Sequence, residues 1–139
     1  MTRAPLPEPS ELTAGFWDAA RREELVLQRC RSCGTLRHYP QLLCPGCTSS
    51  EWDWAPVSGR GVVHSFTVTH QAFHPAWADR LPYVVATVEL DEGPRMVSDL
   101  DEDPGDVAIG RRVEVFFERV DDEITLPRFR LSHHEEDPR

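Results

Sequence analysis

The 139 residues carry 24 acidic side chains against 15 basic ones, a formal charge of −9, and every basic residue is Arg. That length holds one ordinary domain or two very small ones and excludes a large two-domain enzyme. The absence of Lys excludes Schiff-base lysine chemistry and a lysine-type phosphate loop, and the acidic balance sets most of the surface against nucleic acid and anionic membranes.

Residues 1–9 hold prolines at positions 5, 7 and 9 and no periodic pattern, which reads as a flexible arm. After Ser10, the residues Leu12, Phe16, Ala19 and Ala20 fall at helical spacing and predict a short amphipathic helix from Glu11 to about Glu24. Phe16 and Trp17 on that helix either pack on the rest of the chain or meet a partner. Leu25 to Gln28 is a candidate strand leading into Cys30-Arg31-Ser32-Cys33-Gly34, and ten residues later comes Cys44-Pro45-Gly46-Cys47. Glu51 to Val57, with Trp52 and Trp54 alternating, reads as a strand leaving this ribbon, and Gly59 and Gly61 mark a turn.

From there the text is β. Strands are expected at Val62 to Thr69, Tyr83 to Leu90, Arg95 to Leu100, Val113 to Arg119 and Thr125 to Leu131, the last despite Pro127. Asp91-Glu92-Gly93-Pro94 is a tight hairpin connection, and Asp101 to Gly110 is a longer link with room for a helical turn at Val107-Ala108-Ile109. Five strands with a small helical insert between the third and fourth suit a five-stranded Greek-key barrel, the OB-fold, with a small antiparallel sandwich as competitor. The fold class is therefore mainly β, divided into an arm (1–9), a helix and ribbon (10–58), a barrel (59–131) and a polar tail (132–139) expected to be disordered.

No apolar run approaches the roughly 20 residues of a membrane span. Glu8, Glu11 and Asp18 stand where a secretory signal would be basic and then apolar, so a reducing cytoplasm is expected. There four cysteines are better metal ligands than disulfide partners. Two CxxC turns bring Cys30, Cys33, Cys44 and Cys47 to one ion, with Gly34 and Gly46 permitting the partly left-handed backbone of such knuckles. Four protein ligands make a closed, structural Zn2+ site with no open position for water or substrate. Iron in the same ligand set would make a rubredoxin-like electron carrier. His38, between the two pairs, reads as a surface histidine.

The thiols being committed to metal, no cysteine nucleophile remains, and GxSxG, glycine-rich phosphate and HExxH motifs are missing. His70 and His74 lie in a loop; Asp91, Glu92, Asp99, Asp101, Glu102 and Asp103 sit at strand ends and turns, where solvated acids are normal; His133 and His134 fall in the tail. No catalytic residue is assigned. A nucleic-acid-binding OB module is the alternative class, but charge opposes it: nine arginines face 17 acids from Gly59 onward, against six and seven in residues 1–58. Arg60, Arg80, Arg95, Arg111 and Arg112 remain available for a single phosphate. The loop Gln71 to Pro82, with Phe73, His74 and Trp77, either covers a barrel end or presents an apolar edge.

The helix with Phe16-Trp17, the ribbon Cys30-x-x-Cys33-Gly34 and Cys44-Pro45-x-Cys47, then Ser65-Phe66-Thr67-Val68, Pro82-Tyr83-Val84-Val85-Ala86 and Glu89-Leu90-Asp91-Glu92-Gly93 together resemble the zinc-ribbon OB-fold proteins of acyl-CoA metabolism. The resemblance covers about residues 14–131 and departs at Thr48, where a glycine often follows the second knuckle. It implies an accessory subunit of thiolase-superfamily enzymes, including lipid-transfer-protein-like aldolases that cleave steroid side-chain acyl-CoA. The partner then holds the catalytic residues, Phe16, Trp17 and Leu36 offer docking surface, and the loop with Phe73, His74 and Trp77 stands beside the acyl-CoA thioester.

Overall fold

The computed structural model describes residues 6–132. The first part of the expected arm and, apart from Ser132, the acidic tail with His133 and His134 lie outside these residues.

Helix α1 (Ala14–Arg21) is shorter at both ends than its apolar spacing predicts. At the start, Ser10 and Thr13 bond each other's backbone amides and hold residues 11–13 as a turn. At the end, Glu23 adopts φ 61°. The amides of Glu24 and Glu23 bond the carbonyls of Ala19 and Ala20, the Schellman pattern that stops a helix.

The ribbon is a three-stranded antiparallel sheet of β1 (Val26–Cys30), β2 (Leu36–Arg37) and β3 (Trp52–Pro56), in the order β2-β1-β3. The barrel consists of β4 (Arg60–Thr69), β5 (Tyr83–Leu90), β6 (Arg95–Leu100), β7 (Arg112–Arg119) and β8 (Thr125–Leu131). It closes in the order β4-β5-β6-β8-β7, the OB-fold arrangement, which sets the sandwich aside. Along β5, Val84, Ala86, Val88 and Leu90 point inward in strict alternation. The helical turn of the β6–β7 link forms at Pro104–Asp106 and not at Val107-Ala108-Ile109, because Pro104 presets the first φ. The β4–β5 link contains a 3-10 helix at Pro75–Arg80, whose first turn is capped by His74 Nδ1 accepting from Ala76 N–H.

Ribbon and barrel share one hydrophobic core: Phe16, Leu25 and Leu27 cluster with Val63, Val84, Val88 and Phe129. Trp54 of β3 packs closely on Gly15 in α1, where a Cβ would come within 2.2 Å of the indole nitrogen. The barrel is weakest at one seam. β6 and β8 run parallel and share a single register pair, Leu100↔Phe129. Beyond it, α1 lies against β8, and the Val97 amide of β6 donates to the Tyr39 hydroxyl at 3.3 Å. Helix and ribbon thus plug the barrel where its own ladder stops.

Candidate metal centre and adjacent surfaces

Each CxxC pair sits in the same turn. The amides of Gly34 and Thr48 donate to the carbonyls of Cys30 and Cys44, while the amides of Cys30 and Cys44 donate to the carbonyls of Thr35 and Ser49. In each knuckle a backbone amide also points at the first sulfur, Cys33 N at 3.4 Å from Cys30 Sγ and Gly46 N at 3.3 Å from Cys44 Sγ. The left-handed position falls after the second cysteine of each pair: Gly34 has φ 80° and Thr48 φ 64°. The expectation that Gly46 supplies it is corrected, since Thr48 takes the strain.

The four sulfurs lie within 4.8 Å of one another, with Cys30–Cys47 at 3.5 Å and Cys33–Cys44 at 3.7 Å. Sulfurs about 2.3 Å from a tetrahedral ion stand about 3.8 Å apart, so the cluster fits one divalent cation. The thiols differ electrostatically. The Cys33 amide, as the main cause, lowers Cys30 to about 6, and the Thr35 hydroxyl chiefly lowers Cys33. The Ser49 amide favours the Cys47 thiolate, yet the neighbouring sulfurs with burial push that thiol up to about 11. Crowded thiolates oppose one another, and a cation removes that opposition. The geometry of the cluster is that of a closed, four-ligand metal site.

The remaining predicted contact residues separate into three places. Phe16 is 7% exposed and fills the chain's own core. Trp17, edge-on to Phe16 at 5.0 Å, lines an apolar cleft of about 230 Å³ at the seam with His38, Tyr39, Val97, Leu126 and Pro127. His38 is not a surface histidine: its ring lies 5.6 Å from that of Phe16, and burial lowers its pKa to about 4. Leu36 borders a second groove against Glu92, Gly93 and Pro94. Trp77 packs tilted against Tyr83 at 5.0 Å under the Arg80 guanidinium, whereas Phe73 points outward, 77% exposed. Leu42 and Leu43, on the ribbon between the knuckles, are also exposed and were not singled out by pattern.

The carboxylates and arginines are mostly engaged with each other. Arg112 grips Asp91 and holds its carboxyl below the usual range. Arg128 bonds Asp99 and Glu118, Glu102 accepts from the Leu131 amide, and Glu92 accepts from Ser58. Arg95 faces Glu89, and Arg111 donates to the Asp106 carbonyl. His70, His74 and these acids form no acid–base pair among the described residues. No helix of those residues is long and apolar enough to cross a membrane.

A four-cysteine ribbon seated on an OB barrel is the class of protein that this fold and site define. The chain belongs to the ChsH2 family of such proteins: residues 17–53 match its rubredoxin-like zinc ribbon domain and residues 54–118 its C-terminal OB-fold domain. It is 42% identical over 134 residues to a probable enoyl-CoA hydratase alpha subunit of Thermomonospora curvata, a match spanning 96% of this chain and 41% of that protein. A DUF35 domain-containing scaffold protein of Methanocaldococcus jannaschii is 37% identical over 98 residues, 69% of each chain. Among solved structures, a chain of the Ltp2-ChsH2(DUF35) aldolase superposes with a TM-score of 0.82 at 42% identity, covering 91% of this chain and 98% of that one.

Proposed function

We propose that the chain is a non-catalytic accessory subunit that docks on a thiolase-superfamily enzyme, a lipid-transfer-protein-like aldolase or a thiolase, and helps shape its acyl-CoA site. The likeness to the DUF35 chain of an aldolase complex, over nearly its whole length, carries the reading. The chemistry of the site agrees with it. A closed four-cysteine centre offers no open coordination position, and outside it Arg112 is paired with Asp91 and Arg128 with Asp99. The metal is zinc, held by Cys30, Cys33, Cys44 and Cys47, and its part is to fold the ribbon. Trp17 and Leu36, with exposed Tyr39, Leu42 and Leu43, offer the docking face, and the loop with Phe73, His74 and Trp77 approaches the thioester.

Purification of the tagged chain from its own host tests this. A thiolase-like companion is expected to travel with it, to show full activity only in the complex, and to lose activity when the chain is removed. A companion equally active alone, or none of that class, would sink the proposal. About one zinc per chain and no colour are expected; red, redox-active iron would favour the electron carrier instead.

A further inference from the structure

We propose that Arg37 is the counter-charge of the metal centre, a positioning residue that favours the loaded tetrathiolate through its uncompensated cation. Among the described residues Arg37 is the only charged side chain in the buried class, 6% exposed. Arginine keeps its proton in proteins, so burial cannot neutralise it, and a buried cation ordinarily has a carboxylate partner. Here no carboxylate of the described residues pairs with it. Nη2 donates to the Gln41 carbonyl at 3.0 Å, while Nε and Nη1 have no partner. Its cross-strand neighbour Gln28 is 0% exposed and accepts from the Gln41 amide through Oε1, leaving its own Nε2 unpaired.

The strand register sets the Arg37 backbone relative to the cysteines. Gln28 pairs with Arg37, and two residues further along β1 on the same face stands buried Cys30, whose N–H donates to the Thr35 carbonyl. Two residues of strand separate the rows, about 7 Å along the sheet. Four thiolates around a divalent cation carry a net charge of about −2, which a nearby buried cation stabilises more strongly than an exposed one would. The same two side chains hold the backbone N–H and C=O of Gln41, three residues before Cys44, and so fix the approach of the second knuckle.

The inference rests on the cysteines holding metal, and the test separates the two: a wild-type chain that takes up no zinc defeats the metal reading. The full chain and its Arg37→Met, Arg37→Lys and Gln28→Glu variants compete for zinc against a chromophoric chelator at fixed pH and salt, with folding followed by circular dichroism. Arg37→Met is expected to hold zinc about 10-fold less tightly, the low end for groups around a metal's ligands. Arg37→Lys keeps the charge and stays within about threefold. Gln28→Glu decides the matter. It retains the acceptor for the Gln41 amide and gives Arg37 a carboxylate, so a merely structural role predicts unchanged or tighter binding. A counter-charge role predicts a loss of similar size to Arg37→Met, and this variant serves even where Arg37→Met fails to fold. Unchanged or tighter zinc binding in Gln28→Glu would overturn the proposal.

Discussion

Two residues show how local chemistry departs from what their type suggests. Thr48 stands at φ 64° where its counterpart is Gly34, and a β-branched residue in that region costs about 1 to 2 kcal/mol. Thr48→Gly should therefore stabilise the metal-loaded chain by about 1 kcal/mol, read as a higher melting temperature; a lower one would show the hydroxyl contact to the Cys47 carbonyl to be worth more. His38 makes the opposite case, a polar group held neutral. Its folded pKa near 4 lies below the ordinary 6.5, so the unfolded chain binds the proton more readily. Stability contributed by the neutral ring is then complete above pH 6.5 and lost as pH falls toward 4, up to roughly 3 kcal/mol. Relative to His38→Leu, the wild type should lose stability across that window in parallel denaturant titrations. Thr48 shows in the sequence only as a departure from the glycine of its relatives, and His38 shows no such mark. Gly46 inside the second knuckle points spacing arguments to the wrong left-handed position, and His38 is half-buried beside Phe16 across a fold boundary that no spacing encodes.

Elements were far more legible than their junctions. Tyr83–Leu90, Arg95–Leu100 and Thr125–Leu131 were read to the residue because one face is buried, so a period of two survives in the text. Apolar spacing overextends the helix at both ends because it says nothing of a Ser10–Thr13 turn or a left-handed Glu23. How α1 docks is not encoded in spacing either, since it depends on a missing side chain: Trp54 lies on Gly15. Alanine improves an isolated helix by about 1 kcal/mol over glycine. Here its Cβ would collide with the indole ring, so Gly15→Ala should instead destabilise the protein by about 1 to 3 kcal/mol in denaturant unfolding. A stabilised variant would mean the helix can lift from β3 without cost.

At the scale of the whole molecule, the CxxC spacing announced the cluster while the shared core remained hidden. Metal binding in such small lobes is worth on the order of 10 kcal/mol. Phe16, Leu25 and Leu27 belong to the same core as Val84 and Phe129, so the ribbon cannot unfold without stripping apolar cover from the barrel. Chelation should therefore lower a single cooperative melting transition, followed by circular dichroism. Two resolved transitions, one of them untouched by chelator, would show the halves to be energetically independent.

The one-pair seam between β6 and β8 bears on how this chain can be divided. One amide of its barrel edge donates to a tyrosine hydroxyl, and a helix lies against the neighbouring strand, both from the other half of the sequence. A fragment beginning after Pro56 would carry every barrel strand yet display two raw backbone edges to solvent, an invitation to pair with its own copies. The ribbon is thus a stopper as well as a metal lobe, and anyone grafting this barrel elsewhere must carry the stopper along.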